Sequence, residues 1–243
     1  MTTESSTTPT KPDGWEGSAT RRRARWPDWA PYVAPMGVFL VLTTFEASAG
    51  RWYPLAYVAK LLAVTACLAV LRKPGSWTIP DGKTGAVAVA IGALAFTEWV
   101  WVGPALHYPR IALLGTRSAY DPVTSISSPA LRVAFCMVRL AGLALIVPLI
   151  EELFWRSFLP RFLTVPEDFQ SVAHRAVGIV TLFGTALAFG LSHPEWLDGI
   201  VCGVAYGALL RWSGSVSACV LAHAVTNALL GAYVLTQHAW NLW

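Results

Sequence analysis

Side chains able to do chemistry are scarce in this chain and concentrate after position 145. Residues 146–150, Ile-Val-Pro-Leu-Ile, run straight into Glu151-Glu152-Leu153-Phe154-Trp155-Arg156, so two adjacent carboxylates fall in an apolar stretch with an arginine four residues after the second. On a helix, residues four apart share a face, which pairs Arg156 with Glu152. Glu151 is turned by about 100° from Glu152 and is left to aim into a helix bundle. A second element is Phe189-Gly190-Leu191-Ser192-His193-Pro194, where a histidine ends an apolar run and a proline breaks the helix. Such a break is tolerated at membrane depth only against protein or a water-filled cavity. The third element, His223-Ala224-Val225-Thr226-Asn227, sets an imidazole and an amide on one helical face.

A carboxylate and a neutral imidazole that converge on a water can take its proton, while a second imidazole N–H and an asparagine amide can donate to a developing oxyanion. That set suits hydrolysis of an acyl or peptide bond. The same residues allow a second option, in which Glu151, His193 and His223 bind zinc as two histidines and one carboxylate with an open position. The His-Glu-x-x-His helix of many metalloproteases is absent. Ser192 as a nucleophile is a weaker option, because it lacks the following glycine of rhomboid-type intramembrane serine proteases. Taken singly, His223 reads as an interhelical hydrogen bond, and Glu152 with Arg156 reads equally as a structural ion pair or as a functional one. Together, so many polar groups in three apolar segments are costly to bury and point to function.

The elements that must hold these residues are membrane helices. Of 243 residues, 55% are hydrophobic and 13% charged, against about a quarter charged in an ordinary globular chain. This excludes a soluble enzyme and a disordered protein. The apolar runs are continuous, which excludes an outer-membrane barrel of alternating strands. Seven spans are expected, near 32–49, 52–71, 85–102, 131–159, 176–192, 197–210 and 215–236, where a span needs roughly 20 apolar residues. The 104–130 stretch has room for a short surface helix. Cys67, Cys136, Cys202 and Cys219 are isolated in apolar stretches and read as core residues.

Much of the +4 net charge comes from Arg21, Arg22, Arg23 and Arg25, just before the first apolar run. That placement fits topology rather than nucleic acid. With Arg72, Lys73, Lys83, Arg161, Arg175 and Arg211 on the same side, the N-terminus is expected to be cytoplasmic. Residues 1–30 read as a disordered basic tail, and the first run, without a clear cleavage site, as a retained anchor. Glu46 and Lys60 differ in depth by about four residues, or about 6 Å, so an ion pair between the first two helices is expected. Glu98 is expected to find Arg132 or Arg139. Gly199, Gly203 and Gly207 form a small-residue stripe for close helix packing. On this span count Glu151 lies low and His193 near the outer end, so a shifted or eighth helix is needed to bring them together.

The three motifs, in order and on separate apolar segments, resemble those of the CAAX protease and bacteriocin-processing (CPBP, Abi) family: Glu-Glu-x-x-x-Arg, Phe-x-x-x-His and His-x-x-x-Asn. More narrowly, the His-Pro-Glu-Trp turn, the Leu-Ala-His-Ala-Val-Thr-Asn stretch and the Trp-rich end look like its CAAX prenyl protease-related branch, which is linked to bacterial exosortase systems. The resemblance implies an all-α polytopic bundle with an intramembrane polar cavity, in which residues 31–129 supply N-terminal helices and a loop and 130–243 the catalytic core. It implies an inner-membrane endopeptidase in which Glu151 and His193 activate water, His223 and Asn227 stabilise the oxyanion, and Glu152 with Arg156 shapes the site. Zinc stays open. The implied partners are a membrane-bound protein or peptide substrate and an exosortase-type sorting system. A non-catalytic immunity or scaffold protein is the alternative, and a proton-relaying transporter comes third, without the internal repeat such folds carry.

Overall fold

A computed structural model describes residues 26–46, 48–71, 78–110 and 119–242 of the chain. The tail arginines 21–25, together with Arg72, Lys73 and Arg117, lie outside the described residues, as does the expected disorder of residues 1–25. The described residues form seven main helices and no strand: α1 (Ala30–Glu46), α2 (Tyr53–Leu71), α3 (Gly82–Ala105), α4 (Pro129–Thr164), α5 (Ile179–Leu191), α6 (Trp196–Ser213) and α7 (Val216–Gln237). Between α3 and α4 the only described helix is the single turn Pro122–Ser125.

Helix starts follow the side chains available to cap them. Asp81 opens α3 by accepting from the Thr84 N–H at 2.9 Å, and Ser215 opens α7 by accepting from the Ala218 N–H, each satisfying a backbone donor that lacks a helical partner. Gly214 ends α6 with φ of +70°, a left-handed conformation that glycine adopts without strain.

Four helices are long and apolar enough to span a membrane: α2 with its leading turn, α3, α4 and α7. Their outer faces carry exposed Leu55, Leu62, Leu94, Leu131 and Leu145, an arrangement suited to lipid. The equal seven-span picture is corrected in two ways. Helix α5 has 13 residues and α1 has 17, so α5 extends only about 20 Å, short of the roughly 30 Å hydrocarbon core. Helix α4 has 36 residues and runs on to Thr164 rather than ending near 159.

These two changes bring the motifs level. Glu151 stands 13 residues before the end of α4, and His193 stands 14 residues after the start of α5, so each lies about 20 Å from that common end. The shared end is also where basic residues gather. Arg161 lies over the Tyr32 and Phe169 rings, Arg175 donates to Ser213 O at 2.6 Å, and Arg211 donates to Val177 O at 2.9 Å. No eighth helix is needed.

Helices α5 and α6 form a tight hairpin. A Cβ on Gly199 would lie 2.8 Å from Gly190 Cα, and one on Gly203 would lie 2.9 Å from Ala186 Cα, so these two serve close packing, whereas one on Gly207 would meet only Leu182 Cβ at 4.0 Å. Helices α3 and α7 approach in the same way at Gly92, where a Cβ would meet Ala222 O. The main core lies among α3, α5, α6 and α7, around Ala88, Phe189, Tyr206, Leu210 and Ala222.

Candidate active site

Helix α4 is not regular where the glutamates sit. Wide π-helical turns occupy Gly142–Ile146 and Leu153–Phe158, and a third, Glu98–Val102, interrupts α3. Each is followed by a proline, Pro148, Pro160 and Pro104 respectively. Proline lacks an N–H and its ring presses on the carbonyl four residues back, and each of those carbonyls, at Ala144, Arg156 and Val100, lies inside a wide turn. Glu151 and Glu152 are therefore carried on a short regular stretch, Val147–Glu152, between two distortions of one long helix.

The wide turn before them leaves a carbonyl to be satisfied. The Val147 N–H bonds to Gly142 O, and the donor that would reach Leu143 O in the same pattern is the missing N–H of Pro148. Asn227 fills the gap: its Nδ2 donates to Leu143 O at 2.9 Å. One amide hydrogen of Asn227 is thus committed to α4, and the second remains.

Glu152 is fully buried and held from two sides. Arg156 Nε lies 3.2 Å from Oε2, and His223 Nδ1 lies 2.9 Å from Oε1. The guanidinium is also stacked over the Phe189 ring at 4.3 Å and lies over Tyr206 at 5.2 Å. With Nδ1 directed to Glu152, His223 turns its Nε2 toward Glu151, 4.0 Å from Oε2. Tyr206 stacks on the same imidazole at 5.3 Å and is tied through its hydroxyl to Thr226 at 2.7 Å. Thr226 in turn donates to Gly92 O.

His193 follows the C-terminal cap of α5. Its Nδ1 lies 2.8 Å from Phe189 O. A carbonyl only accepts, so Nδ1 carries the hydrogen and Nε2 is the acceptor nitrogen of the ring. Ser192 Oγ donates to the same carbonyl at 2.6 Å, so its hydroxyl caps the helix. It has no base to activate it, because the nearby His193 Nδ1 is itself a donor. Trp99 packs edge-on against His193 at 5.8 Å.

A cavity of about 310 Å³ collects these groups, with Glu151, His193, His223 and Asn227 on its wall. Glu152 and Arg156 stand behind that wall. Tyr206, Thr226 and Trp99 line the cavity as well. Sequence reasoning missed all three; a tyrosine between the α6 glycines and a threonine beside Asn227 were the available signals. Among the described residues no three His, Cys, Asp or Glu side chains are grouped to hold a metal ion. Glu151, His193 and His223 line the same cavity.

Glu151, His193, His223 and Asn227 come from α4, the α5–α6 turn and α7, which is also where the chain is similar to known proteins. Residues 133–229 match the Type II CAAX prenyl endopeptidase Rce1-like family. The matched segment is under half of the chain, and it contains all six of Glu151, Glu152, Arg156, His193, His223 and Asn227. At the family level it supports a CAAX-type intramembrane protease. No curated protein and no solved structure matches the chain.

Two further pairings concern the N-terminal helices. Lys60 is ion-paired with Glu46, both buried, as their depths in α1 and α2 require. The expected partner of Glu98 is corrected. Glu98 has the Asp198 carboxyl, at the start of α6, as its charged neighbour, while Arg132 donates to Ile126 O and Arg139 lies over Tyr53 and Tyr57. The cause is the close approach of the two helices: a Cβ on Gly103 would overlap the Asp198 carboxyl. Tyr108 donates to Asp198 at 2.7 Å.

Proposed function

We propose that this chain is an intramembrane endopeptidase of the CAAX prenyl protease-related type, hydrolysing a peptide bond of a membrane-associated protein or peptide. The observation that carries the proposal is the convergence of Glu151, His193, His223 and Asn227, from three separate segments, on one cavity inside a helical membrane bundle. Glu151 and the acceptor nitrogen of His193 take the proton from water, which attacks the carbonyl carbon. The charge that develops on the carbonyl oxygen is met by the remaining Asn227 N–H and by His223. Because His223 gives Nδ1–H to Glu152, the nitrogen it turns to the cavity is Nε2, which donates to the oxyanion when it carries a hydrogen. Glu152 and Arg156 position this imidazole and touch no substrate. The proton on Glu151 and His193 then passes to the leaving amine as the C–N bond breaks. No step requires a metal.

Orientation with the basic end cytoplasmic in a bacterial inner membrane, and service to an exosortase-type sorting system, belong to the same proposal; the basic end and the His-Pro-Glu-Trp turn support them. Cleavage of membrane-tethered peptides by the purified chain is the test. Glu151→Ala and His193→Ala should each lower the rate by at least about 100-fold, and a chelator should leave the wild-type rate unchanged. Equal cleavage by all three proteins overturns the proposal, and chelator-sensitive cleavage overturns its metal-free form. A non-catalytic scaffold is favoured by one observation, that Asn227 and His223 each have a structural partner. Full cellular function in Glu151→Gln, which keeps shape and removes the base, would select that reading.

A further inference from the structure

His193 is tied on one side to α5, through its own N–H to Gly190 O at 2.9 Å and its ring to Phe189 O. On the other side the turn into α6 has less of its own to fix it. Pro194 has no N–H to give, and Glu195, which precedes α6, lends that helix no side-chain cap. What meets this side is the short loop after α3. Three contacts join loop and turn in antiparallel order. Arg110 Nη1 lies 3.1 Å from Glu195 Oε1, Trp196 Nε1 donates to Pro109 O at 2.8 Å, and Tyr108 donates its hydroxyl to Asp198 Oδ2 at 2.7 Å. The Tyr108 and Trp196 rings also meet edge to face at 5.6 Å. Helix α3 itself sets Trp99 edge-on against the His193 ring. All these partners precede residue 133, where the match to the family begins.

We propose that Tyr108 and Arg110 are positioning residues for His193: the loop after α3 clasps the α5–α6 turn and so sets where the imidazole stands relative to Glu151. Both act through the turn, at the second and fifth residues beyond His193, rather than on the reacting atoms. Their contributions differ. Tyr108 is half-buried and meets a fully buried carboxylate that has the Glu98 carboxyl as its neighbour; a buried acceptor that loses its donor is costly, so this contact fixes the start of α6. Arg110 is exposed, and a pair with an exposed cation adds little stability, so its effect on Glu195 is chiefly one of direction. Displacement by about 1 Å at a distance from the chemistry can cost about 100-fold in rate. The inference rests on the proposed role of His193 as a base only for its catalytic consequence, and the placement of the ring is measured without cleavage.

The experiment uses the full chain in detergent, labelled with nitrogen-15 at histidine, and reads the imidazole signals by NMR. His193→Gln and His223→Gln identify the two rings by the signals they remove. Tyr108→Phe, which deletes one oxygen, should shift the His193 signals and leave those of His223, which is held from Glu152, in place. Arg110→Gln should shift the same signals by less, Arg110→Lys should restore them, and Leu106→Ala, an exposed change in the same loop, should move neither ring. In peptide cleavage, Tyr108→Phe should lower kcat about tenfold or more and leave KM within about twofold. If Tyr108→Phe does not fold, Arg110→Gln at the exposed end of the clasp supplies the same readings. His193 signals that stay in place overturn the proposal, as do His193 and His223 signals that move together. A rise in KM with kcat unchanged also overturns it, because the loop would then contact substrate. A wild-type chain that cleaves nothing defeats the proposed activity, while the ring signals still decide the clasp.

Discussion

Two buried ion-pair clusters hold the bundle together, and they are built to different rules. In the cluster of Glu152, Arg156 and His223, the carboxylate is fully buried and has a partner on each oxygen, one from its own helix and one from α7. Glu46 and Lys60 join α1 to α2 and face the cavity, where the Lys60 ammonium also lies over the Phe39 and Tyr57 rings. The first arrangement fixes one imidazole in one orientation and keeps its own charges out of the cavity. The second presents charge to whatever enters. A buried pair is seldom a source of net stability, since desolvation offsets attraction, so its geometry is better explained by what it positions than by what it stabilises.

The largest expected effect that distinguishes the clusters is loss of Glu152. Glu152→Ala strands a buried guanidinium and releases His223, and should cost about 3–5 kcal/mol, measured by denaturant unfolding in micelles. The paired replacement of Glu46 by Leu and Lys60 by Met removes both charges at once and should change stability by less than about 1.5 kcal/mol, since apolar groups of similar volume often replace a buried pair at little cost. Comparable losses in the two variants would erase the distinction drawn between the clusters.

A smaller effect is expected from Asn227→Ala, which leaves Leu143 O without its donor in the wide turn and should cost about 1–3 kcal/mol. Asn227→Asp, which replaces the donor by an acceptor, should be no better. An Asn227→Ala protein as stable as wild type would show that α4 closes its own gap, and Asn227 would then be reserved for the cavity.

A pH-dependent effect lies at the basic end, where cations gather. His174, in the loop after α4, is bonded to Ser157, and burial, then the nearby Arg161 charge, push its pKa from 6.5 down to about 4. Between those values the unfolded chain binds more protons than the folded one, so stability should fall as pH drops from 6.5 toward 4 and be insensitive to this group above 6.5. His174→Gln should flatten that slope. An unchanged slope would place the acid sensitivity elsewhere.

How much of this was legible depended on how local each relation is. Glu152 with Arg156 is one helical turn, and Glu46 with Lys60 needs only two helices joined by a short hairpin, so periodicity and depth sufficed. The seven helices also stand close to where the apolar runs put them. The second partner of Glu152 is 71 residues away, and no rule of spacing connects them. Glu98 looked for a cation on the strength of charge alone, yet the close approach at Gly103 delivered a carboxyl. The wide turns were foreshadowed by Pro104, Pro148 and Pro160, but proline also kinks or ends helices, and only the packed helix shows which adjustment was taken.

What the amino-acid sequence determines by itself is the solvent, the class and the inventory: apolar runs that demand lipid, helices because no other backbone satisfies its hydrogen bonds there along a single segment, and a small set of polar residues in three motifs. The tertiary structure decides their levels and their partners. A 13-residue α5 beside a 36-residue α4 puts His193 at the depth of Glu151, and α7 brings one histidine to Glu152 and one asparagine to an open carbonyl. The physical reason is that helix formation is settled within a few residues, whereas the depth at which a helix stops and the groups it meets are set by packing against segments far away in the chain.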